Sequence, residues 1–156
     1  HEYLMEKGIT LDANSNSGTQ YLYHDPCHSP MKTYSPINVA STLMGKDVLA
    51  ADRCCGEAGT FAVSRPDIAT QLRYRKQEQL RSGIKQLTGA NKAKAGNVKM
   101  LTSCPACQQG LSRYVDDTGL ETDYIVVELA KAQLGEDWQQ RFIAKVKQGV
   151  VEQVLL

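Results

Sequence analysis

Short apolar runs alternate with segments of helical character along the chain, and this alternation is the feature that most constrains its fold. Four runs have the composition of strands: Gln20–His24, Asp47–Ala51, Val98–Thr102 and Asp123–Val127. Helix-start signals predict helices over three further segments: Ser35–Met44, Ser64 to about Ser82, and a segment that begins at Pro105. Strands that alternate with helices are typical of an α/β domain, so we expect about four strands in a mostly parallel sheet flanked by helices.

The two ends of the chain differ in character from its middle. Residues 1–18, which turn polar from Asp12 onward, are interpreted as a linker or the remnant of a preceding domain, and residues 19–134 hold the α/β pattern. Residues 135–156 are expected to form a C-terminal amphipathic helix, because apolar side chains recur at every fourth position: Trp138, Phe142, Val146, Val150 and Val154. This helix is expected to pack on its own domain or on another part of a longer protein. Since the sequence begins without an initiator methionine, we interpret it as a fragment.

The composition excludes several classes of protein. The chain has 156 residues, of which 18 are basic and 17 acidic, so its net charge of +1 provides no electrostatic footprint for nucleic acid. No apolar run approaches the roughly 20 residues of a transmembrane helix, and the first residues lack the features of a secretory signal. The five cysteines are an odd number in a chain large enough to fold without disulfides. We therefore expect a cytoplasmic protein whose reduced cysteines act as ligands or redox groups.

All five cysteines directly follow predicted strands. Cys27 comes after the first strand, Cys54 and Cys55 come after the second, and Cys104 and Cys107 come after the third, at the start of the next helix. In a parallel sheet the carboxyl ends of the strands lie along one edge, where open α/β sheets bind their ligands. Three segments that are distant in sequence are therefore expected to bring five sulfur atoms to one site.

The residues around the cysteines suit a metal centre. Cys104 and Cys107 form a Cys-x-x-Cys motif at a helix start, where the positive end of the helix favours thiolate over thiol. Gly56 and Gly59 are candidate cofactor-binding residues, because glycines let the backbone approach a bulky group and point N–H groups at sulfur. Soft thiolates select iron–sulfur clusters, zinc or copper(I) rather than magnesium or calcium.

The number of thiols favours a multinuclear centre. Five thiols exceed the four that a tetrahedral zinc ion or a cubane cluster requires. Because adjacent side chains point in different directions, Cys54 and Cys55 more naturally bind different irons. Three alternatives stay open: a structural zinc site in a non-catalytic interaction module, a thiol–disulfide redox catalyst based on Cys104 and Cys107, and buried cysteines without metal.

Two further side chains are candidates for a role at the site. His28 is a candidate catalytic or cofactor-binding residue, able to donate a hydrogen bond to a cluster sulfur or to transfer a proton. Lys76 falls on the buried side of its predicted helix. Its charge would offset that of a cluster, or its long side chain would extend to the surface. Glu57 is interpreted as facing water, and His24 as a structural residue at the end of a strand.

Three motifs together resemble the cysteine-rich CCG domain. They are His24-Asp25-Pro26-Cys27-His28, Cys54-Cys55-Gly56-Glu57-Ala58-Gly59-Thr60-Phe61 and Ser103-Cys104-Pro105-Ala106-Cys107. The resemblance covers about residues 20–130. That domain occurs in heterodisulfide reductases, in the iron–sulfur component of glycolate oxidase, in anaerobic glycerol-3-phosphate dehydrogenase and in lactate-utilisation proteins.

The resemblance implies an iron–sulfur centre on Cys27, Cys54, Cys55, Cys104 and Cys107. In the heterodisulfide reductase branch, five such cysteines hold a non-cubane [4Fe–4S] cluster. In the glycolate and lactate branch, to which the CCGEAGTF segment is more similar, the domain transfers electrons beside a flavoprotein that oxidises a 2-hydroxy acid. The resemblance thus implies a parent oxidoreductase with FAD in another domain, further iron–sulfur domains and, for the parent, peripheral association with a membrane.

Two departures from the family pattern bear on how much of an enzyme is present. The cysteine groups are separated by 26 residues (28–53) and by 48 residues (56–103), whereas the family spaces them more evenly. The longer gap contains Thr88–Asn97, which is interpreted as a surface insertion away from the site. Family members usually carry two CCG domains and this chain has one, so it is not expected to be catalytic alone.

Overall fold

The computed structural model describes residues 1–11, 18–57 and 61–149. Its strands are β1 Gln20–His24, β2 Val48–Ala50, β3 Val98–Thr102 and β4 Glu121–Tyr124. Its helices are α1 Glu2–Glu6, α2 Pro36–Met44, α3 Phe61–Ser64, α4 Pro66–Thr88, α5 Pro105–Ser112, α6 Val115–Thr118, α7 Ile125–Leu134 and α8 Trp138–Lys147. Strands and helices alternate, as the sequence pattern predicts.

Within these ranges the strands form one parallel sheet with the order β2-β1-β3-β4. Leu22 in β1 is paired with Leu49 in β2 and with Met100 in β3, and Leu101 in β3 is paired with Asp123 in β4. The parallel arrangement confirms the predicted α/β class. It also places the carboxyl ends of β2, β1 and β3, which the cysteines follow, side by side at one edge of the sheet.

Side chains alternate along β1 and thereby divide the core into two layers. Tyr21 and Tyr23 pack with α2 and α7 on one face, whereas Leu22 packs with α4 and α5 on the other. From β1 the chain runs first to β2 on one side and later to β3 on the other. The carboxyl ends of β1 and β3 therefore flank a topological switch point, the place where open α/β sheets bind ligands.

Helix α4 ends at Thr88, beyond the end predicted near Ser82. The prediction placed the end ahead of Gly83, but this glycine is buried within the helix. A Cβ atom at Gly83 would lie 2.9 Å from Leu22 Cδ2, so the glycine permits close packing of the helix on the sheet. The helix is instead capped by Gly89, whose φ of +73° is the left-handed conformation that favours glycine.

The fourth strand spans Glu121–Tyr124 rather than the predicted Asp123–Val127. The segment from Ile125 onward has a strand-like composition, but Ile125 is the first residue of α7. Ile125 and Leu129, one helical turn apart, are both buried in the core that α7 shares with α2. Tertiary packing therefore overrides the local β propensity of this segment.

The first and last helices of the described chain are packed very differently. Leu4 and Met5 of α1 pack against the core beneath α2. Helix α8 has no buried residue, and Phe142 stays 54% exposed. Val150 and Val154, expected to continue that helix, lie outside the described residues. No helix within the described ranges is long and apolar enough to cross a membrane.

Candidate metal centre

The five cysteines line one cavity at the carboxyl edge of the sheet. Its volume is about 250 Å³, and its walls are formed by Pro26, Cys27, His28, Cys54, Cys55, Cys104, Ala106 and Cys107. The thiols come from the loops after β1 and β2 and from the start of α5. The structure thus brings together all the cysteines that the sequence singles out, and it places the candidate His28 beside them.

Helix α5 presents two of the cysteines at its beginning. Cys104 occupies the N-cap position with an extended backbone, Pro105 is the first helical residue, and Cys107 lies in the first turn. Proline suits this position because it has no N–H that would need a partner. The positive end of the helix therefore lies at the cavity, where it favours negative charge on sulfur.

The loop after β2 supplies two thiols and a backbone donor. Gly56 has a left-handed φ of +77°, and its N–H donates to Cys54 Sγ at 3.3 Å. Cys55 is buried in the core beneath α4, whereas Cys54 is partly exposed. The side chains of the two adjacent cysteines therefore lie in different surroundings. Gly59, the other glycine candidate, lies outside the described residues.

Cys55 and Cys107 form a buried pair of thiols. Their sulfur atoms are 3.4 Å apart, a hydrogen-bond distance that is much longer than a disulfide. The bond with Cys107 lowers the pKa of Cys55 to about 4, with a smaller contribution from His24. The same bond, together with burial, raises the pKa of Cys107. The two thiols therefore share one proton more readily than they lose both, and the negative charge of the pair resides on Cys55.

Cys27 differs from this pair because it is the exposed member of the set. Partial desolvation raises its pKa, and the nearby Cys54 and Cys55 add to this effect when they carry negative charge. Without a cation, negative charge on Cys54 and Cys55 thus opposes deprotonation of Cys27. A bound metal centre reverses this balance because its positive charge stabilises each thiolate.

His24 belongs to the site, although the sequence indicated only a structural role. It is 1% exposed, and a ring nitrogen lies within 4.8 Å of the sulfur atoms of Cys55 and Cys107. Its Nδ1 is 3.0 Å from the Ala51 carbonyl oxygen, while its Nε2 has no hydrogen-bond partner in the described part of the chain. Alternation along β1 is the signal that could have found it, because His24 follows Leu22 by two residues and shares its face.

Lys76 is fully buried and does not reach the surface. Its Nζ donates to the Ala51 carbonyl oxygen at 2.6 Å and to Gln79 Oε1 at 3.1 Å, and it lies 3.2 Å from His24 Nδ1. Burial lowers the pKa of Lys76 to about 8, although the negative charges of Cys55 and Asp52 oppose this shift. None of its three close partners is a carboxylate.

Glu57 does not face water, contrary to the expectation from the sequence. Its side chain is 12% exposed and pairs with Arg73 at 3.3 Å and with Arg113. A Cβ atom at Gly110 in α5 would collide with Glu57 Cγ, so the glycine leaves room for this side chain. The ion pairs join the cysteine loop to α4 and to the end of α5. No local pattern could reveal them because the partners are distant in sequence.

The donor set fits a centre that prefers sulfur. Five thiols line the cavity, a backbone N–H already donates to one of them, and an unpartnered histidine nitrogen is buried nearby. No carboxylate is found among the described residues of the cavity wall. Such a site suits iron–sulfur clusters or zinc rather than magnesium or calcium. Metal binding is therefore the chemistry that the arrangement supports.

Two models of protein families match the chain, and one of them covers the segment that carries the cysteines, whereas individual proteins give a different result. No curated protein and no solved structure matches the chain. Residues 112–156 match the model of a domain of unknown function, DUF3400. Residues 21–112 match the model of CCG, a cysteine-rich domain, and this stretch is more than half of the chain and contains every cysteine. The chain therefore belongs to the CCG cysteine-rich domain family.

Proposed function

We propose that the chain is the electron-transfer domain of an oxidoreductase and that its five cysteines hold a [4Fe–4S] centre. The observation that carries this proposal is the convergence of all five thiols on one cavity. When bound, such a centre supplies one-electron oxidation and reduction. The electrons come from a flavin domain of the parent protein that oxidises a 2-hydroxy acid such as lactate or glycolate. FAD belongs to that domain and not to this chain.

The arrangement of the adjacent cysteines supports a multinuclear centre. Cys54 Sγ accepts the Gly56 N–H at the cavity wall, whereas Cys55 Sγ lies beside Cys107 in the core. The two sulfur atoms therefore serve different metal ions more readily than one. Five thiols also exceed the coordination number of a single tetrahedral ion. A non-cubane cluster with five thiolate ligands is the form that uses all of them.

The surrounding residues provide the features that set the reduction potential of a sulfur-bound centre. Leu22 and Leu80 pack in the same core as Cys55 and Cys107, which keeps water from that side of the site. The Gly56 N–H donates to sulfur, and this bond stabilises negative charge there. Burial, N–H donors and nearby charge are the factors by which proteins tune such potentials.

A zinc-stabilised interaction module is the second candidate, and one observation favours it. A ring nitrogen of His24 and the sulfur atoms of Cys55 and Cys107 lie within 4.8 Å of one another. Nitrogen and sulfur ligands of this kind, completed by a further thiol of the cavity, are typical of structural zinc sites. In that case the chain would dock the flavin domain without transferring electrons.

Metal analysis of protein purified without oxygen separates these candidates. We expect about four irons and about four acid-labile sulfides per chain, with a brown absorbance that is lost in air. Electron paramagnetic resonance then distinguishes a cubane from a non-cubane cluster. About one zinc per chain without sulfide, even after anaerobic reconstitution, would contradict electron transfer and support the zinc module. Rapid labelling of Cys104 by a thiol reagent in an intact, metal-free fold would support a thiol-based catalyst instead.

A further inference from the structure

The proposed ligand set leaves one buried polar group beside the cysteines without a role. His24 is 1% exposed, and its Nε2 finds no hydrogen-bond partner within the described ranges. Buried polar atoms are nearly always paired, so an unpaired one indicates a partner that belongs to the occupied site. Which kind of partner it needs depends on whether Nε2 carries a hydrogen atom.

Lys76 determines the position of that hydrogen atom. An ammonium group has three N–H donors and accepts no hydrogen bond. Its Nζ has three acceptors within reach: the Ala51 carbonyl oxygen at 2.6 Å, Gln79 Oε1 at 3.1 Å and His24 Nδ1 at 3.2 Å. Gln79 keeps its oxygen towards Lys76 because its Nε2 donates to Asp52 Oδ1 at 2.7 Å. His24 Nδ1 therefore accepts from Lys76, and the hydrogen atom of the neutral ring lies on Nε2.

The opposite tautomer would replace the bond from Lys76 to Nδ1 by one from Nδ1 to the Ala51 carbonyl oxygen. A hydrogen atom on Nδ1 would face the ammonium of Lys76 at 3.2 Å and would leave one of its N–H donors without an acceptor. That hydrogen atom could donate to the Ala51 carbonyl oxygen at 3.0 Å, which has a second lone pair beside its shorter bond from Lys76, but the charged donor of Lys76 would stay unpaired. Unpaired donors in the interior are disfavoured because they have lost their bonds to water.

The remaining ring nitrogen is available to the cysteine pair. One nitrogen of His24 lies within 4.8 Å of the sulfur atoms of Cys55 and Cys107, and Nδ1 is occupied by Lys76. We propose that His24 donates its Nε2–H to the negative charge on the sulfur atoms of this site, and that Lys76 holds the ring in the donor tautomer. His24 is then a positioning residue that tunes the centre rather than a metal ligand. The effect of His24 on a reduction potential rests on the proposed iron–sulfur function. The position of the hydrogen atom on its ring does not depend on that function.

The tautomer can be measured on the metal-free chain. Nitrogen-15 NMR of the imidazole rings identifies which nitrogen of each histidine carries hydrogen, and His24→Gln assigns the His24 signals. We expect a neutral His24 ring with its hydrogen on Nε2. Lys76→Met, which removes the donor to Nδ1 without changing the length of the side chain greatly, should shift the population towards Nδ1–H. Hydrogen on Nδ1 in the wild type, or no change in Lys76→Met, would overturn the proposal.

The cluster-loaded protein provides the second test. His24→Phe removes the donor, and we expect wild-type iron per chain with a midpoint potential shifted to a more negative value, because hydrogen bonds to sulfur stabilise the reduced state. His24→Gln places an amide N–H near the position of Nε2 and should restore most of the potential. Equal potentials in all three proteins would overturn the proposal, as would loss of iron from both variants, which would make His24 a ligand.

The two tests separate this proposal from the assignment of the centre. A chain that assembles no iron–sulfur cluster would remove the electron-transfer function, yet the tautomer of His24 in the metal-free protein would still decide its donor role. If His24 binds zinc through Nε2, that nitrogen carries no hydrogen atom. Loss of the Nε2–H signal when zinc is added would therefore contradict the donor assignment.

Discussion

The buried charged side chains Glu128 and Lys76 have very different surroundings. Glu128 is 2% exposed, but Lys99 lies 3.0 Å and Lys131 lies 3.4 Å from its carboxylate, so neighbours within the fold balance its charge. Lys76 is fully buried, and none of its three close partners is a carboxylate. A buried charge without a close counter-charge is costly. Lys76 therefore indicates that the adjacent cysteine site carries negative charge when it is formed.

Cys55→Ser is expected to abolish assembly of the centre and to leave a folded metal-free domain. A serine oxygen is a poor ligand for iron in a sulfur site and cannot replace the sulfur atom that lies 3.4 Å from Cys107. Iron and sulfide per chain measure assembly, and far-UV circular dichroism measures folding. Ala106→Ser adds a hydroxyl to the same cavity wall without removing a thiol, so this control should keep wild-type iron. Full iron and sulfide in Cys55→Ser would remove Cys55 from the ligand set.

Glu2 is expected to make the stability of the fold depend on pH. Its carboxylate accepts backbone N–H bonds from Lys32, Thr33 and Tyr34. These bonds, with that from Tyr34 contributing most, lower its pKa from the ordinary value of 4.5. Because the folded-state pKa is the lower one, the stabilisation is fully present above the unfolded-state pKa and is lost as the pH falls through the folded-state pKa.

Thermal unfolding of wild-type protein and Glu2→Gln, at neutral pH and at a pH below the folded-state pKa of Glu2, measures this effect. The variant should unfold at a lower temperature at neutral pH, and the difference should shrink in acid. Glu121→Gln, at an exposed position of β4, is the matched control and should show no such trend. A constant difference between Glu2→Gln and the wild type at both pH values would contradict the prediction.

At the scale of helices and strands, substitutions at the glycines that follow two helices test how closely neighbouring segments pack. Gly89 after α4 and Gly119 after α6 both have left-handed φ values, +73° and +69°. A Cβ atom at Gly89 would contact nothing within 4 Å, whereas one at Gly119 would collide with the Ala93 carbonyl oxygen. Gly89→Ala should therefore cost only backbone strain, about 1 kcal/mol. Gly119→Ala should cost about 3 kcal/mol because the segment with buried Ala93 must move. Equal losses in chemical denaturation would contradict this difference.

Helix α8 is expected to contribute little to the stability of the isolated chain. Phe142 is 54% exposed, whereas Leu80 of α4 is 1% exposed within the core. Phe142→Ala should change the free energy of unfolding by less than about 0.5 kcal/mol, and Leu80→Ala should lower it by about 3 kcal/mol. Chemical denaturation measures both. A loss above about 1 kcal/mol for Phe142→Ala would show that α8 packs more tightly in solution.

At the scale of the whole molecule, the fold does not depend on the centre for its core. Among the residues that the structure describes, the core between the sheet, α2 and α7 contains no cysteine, and the core beneath α4 contains Cys55 and Cys107 among many apolar side chains. We expect a chelator to lower the melting temperature of metal-loaded protein without loss of far-UV circular dichroism. The lost stabilisation is about 2.7 kcal/mol for a metal present at one hundred times its dissociation constant. Unfolding on metal removal, as in zinc fingers, would contradict this prediction.

Local patterns in the sequence determined much of the secondary structure and the order in which cysteines follow strands. The bounds of β1 and β3 agree with the prediction because short apolar runs between turn residues are local signals. The parallel α/β class followed from the alternation of strands and helices. The convergence of the thiols followed in turn, because parallel strands share one carboxyl edge.

Only the tertiary structure decided the surroundings of those thiols. His24 and Lys76 are 52 residues apart and carry no joint signal in the sequence, yet packing of α4 on β1 brings their nitrogen atoms to 3.2 Å. The ion pairs of Glu57 depend equally on how α4 and α5 lie over the cysteine loop. The physical reason is that local spacing specifies periodicity and turns, whereas strand order and helix packing select which distant side chains meet.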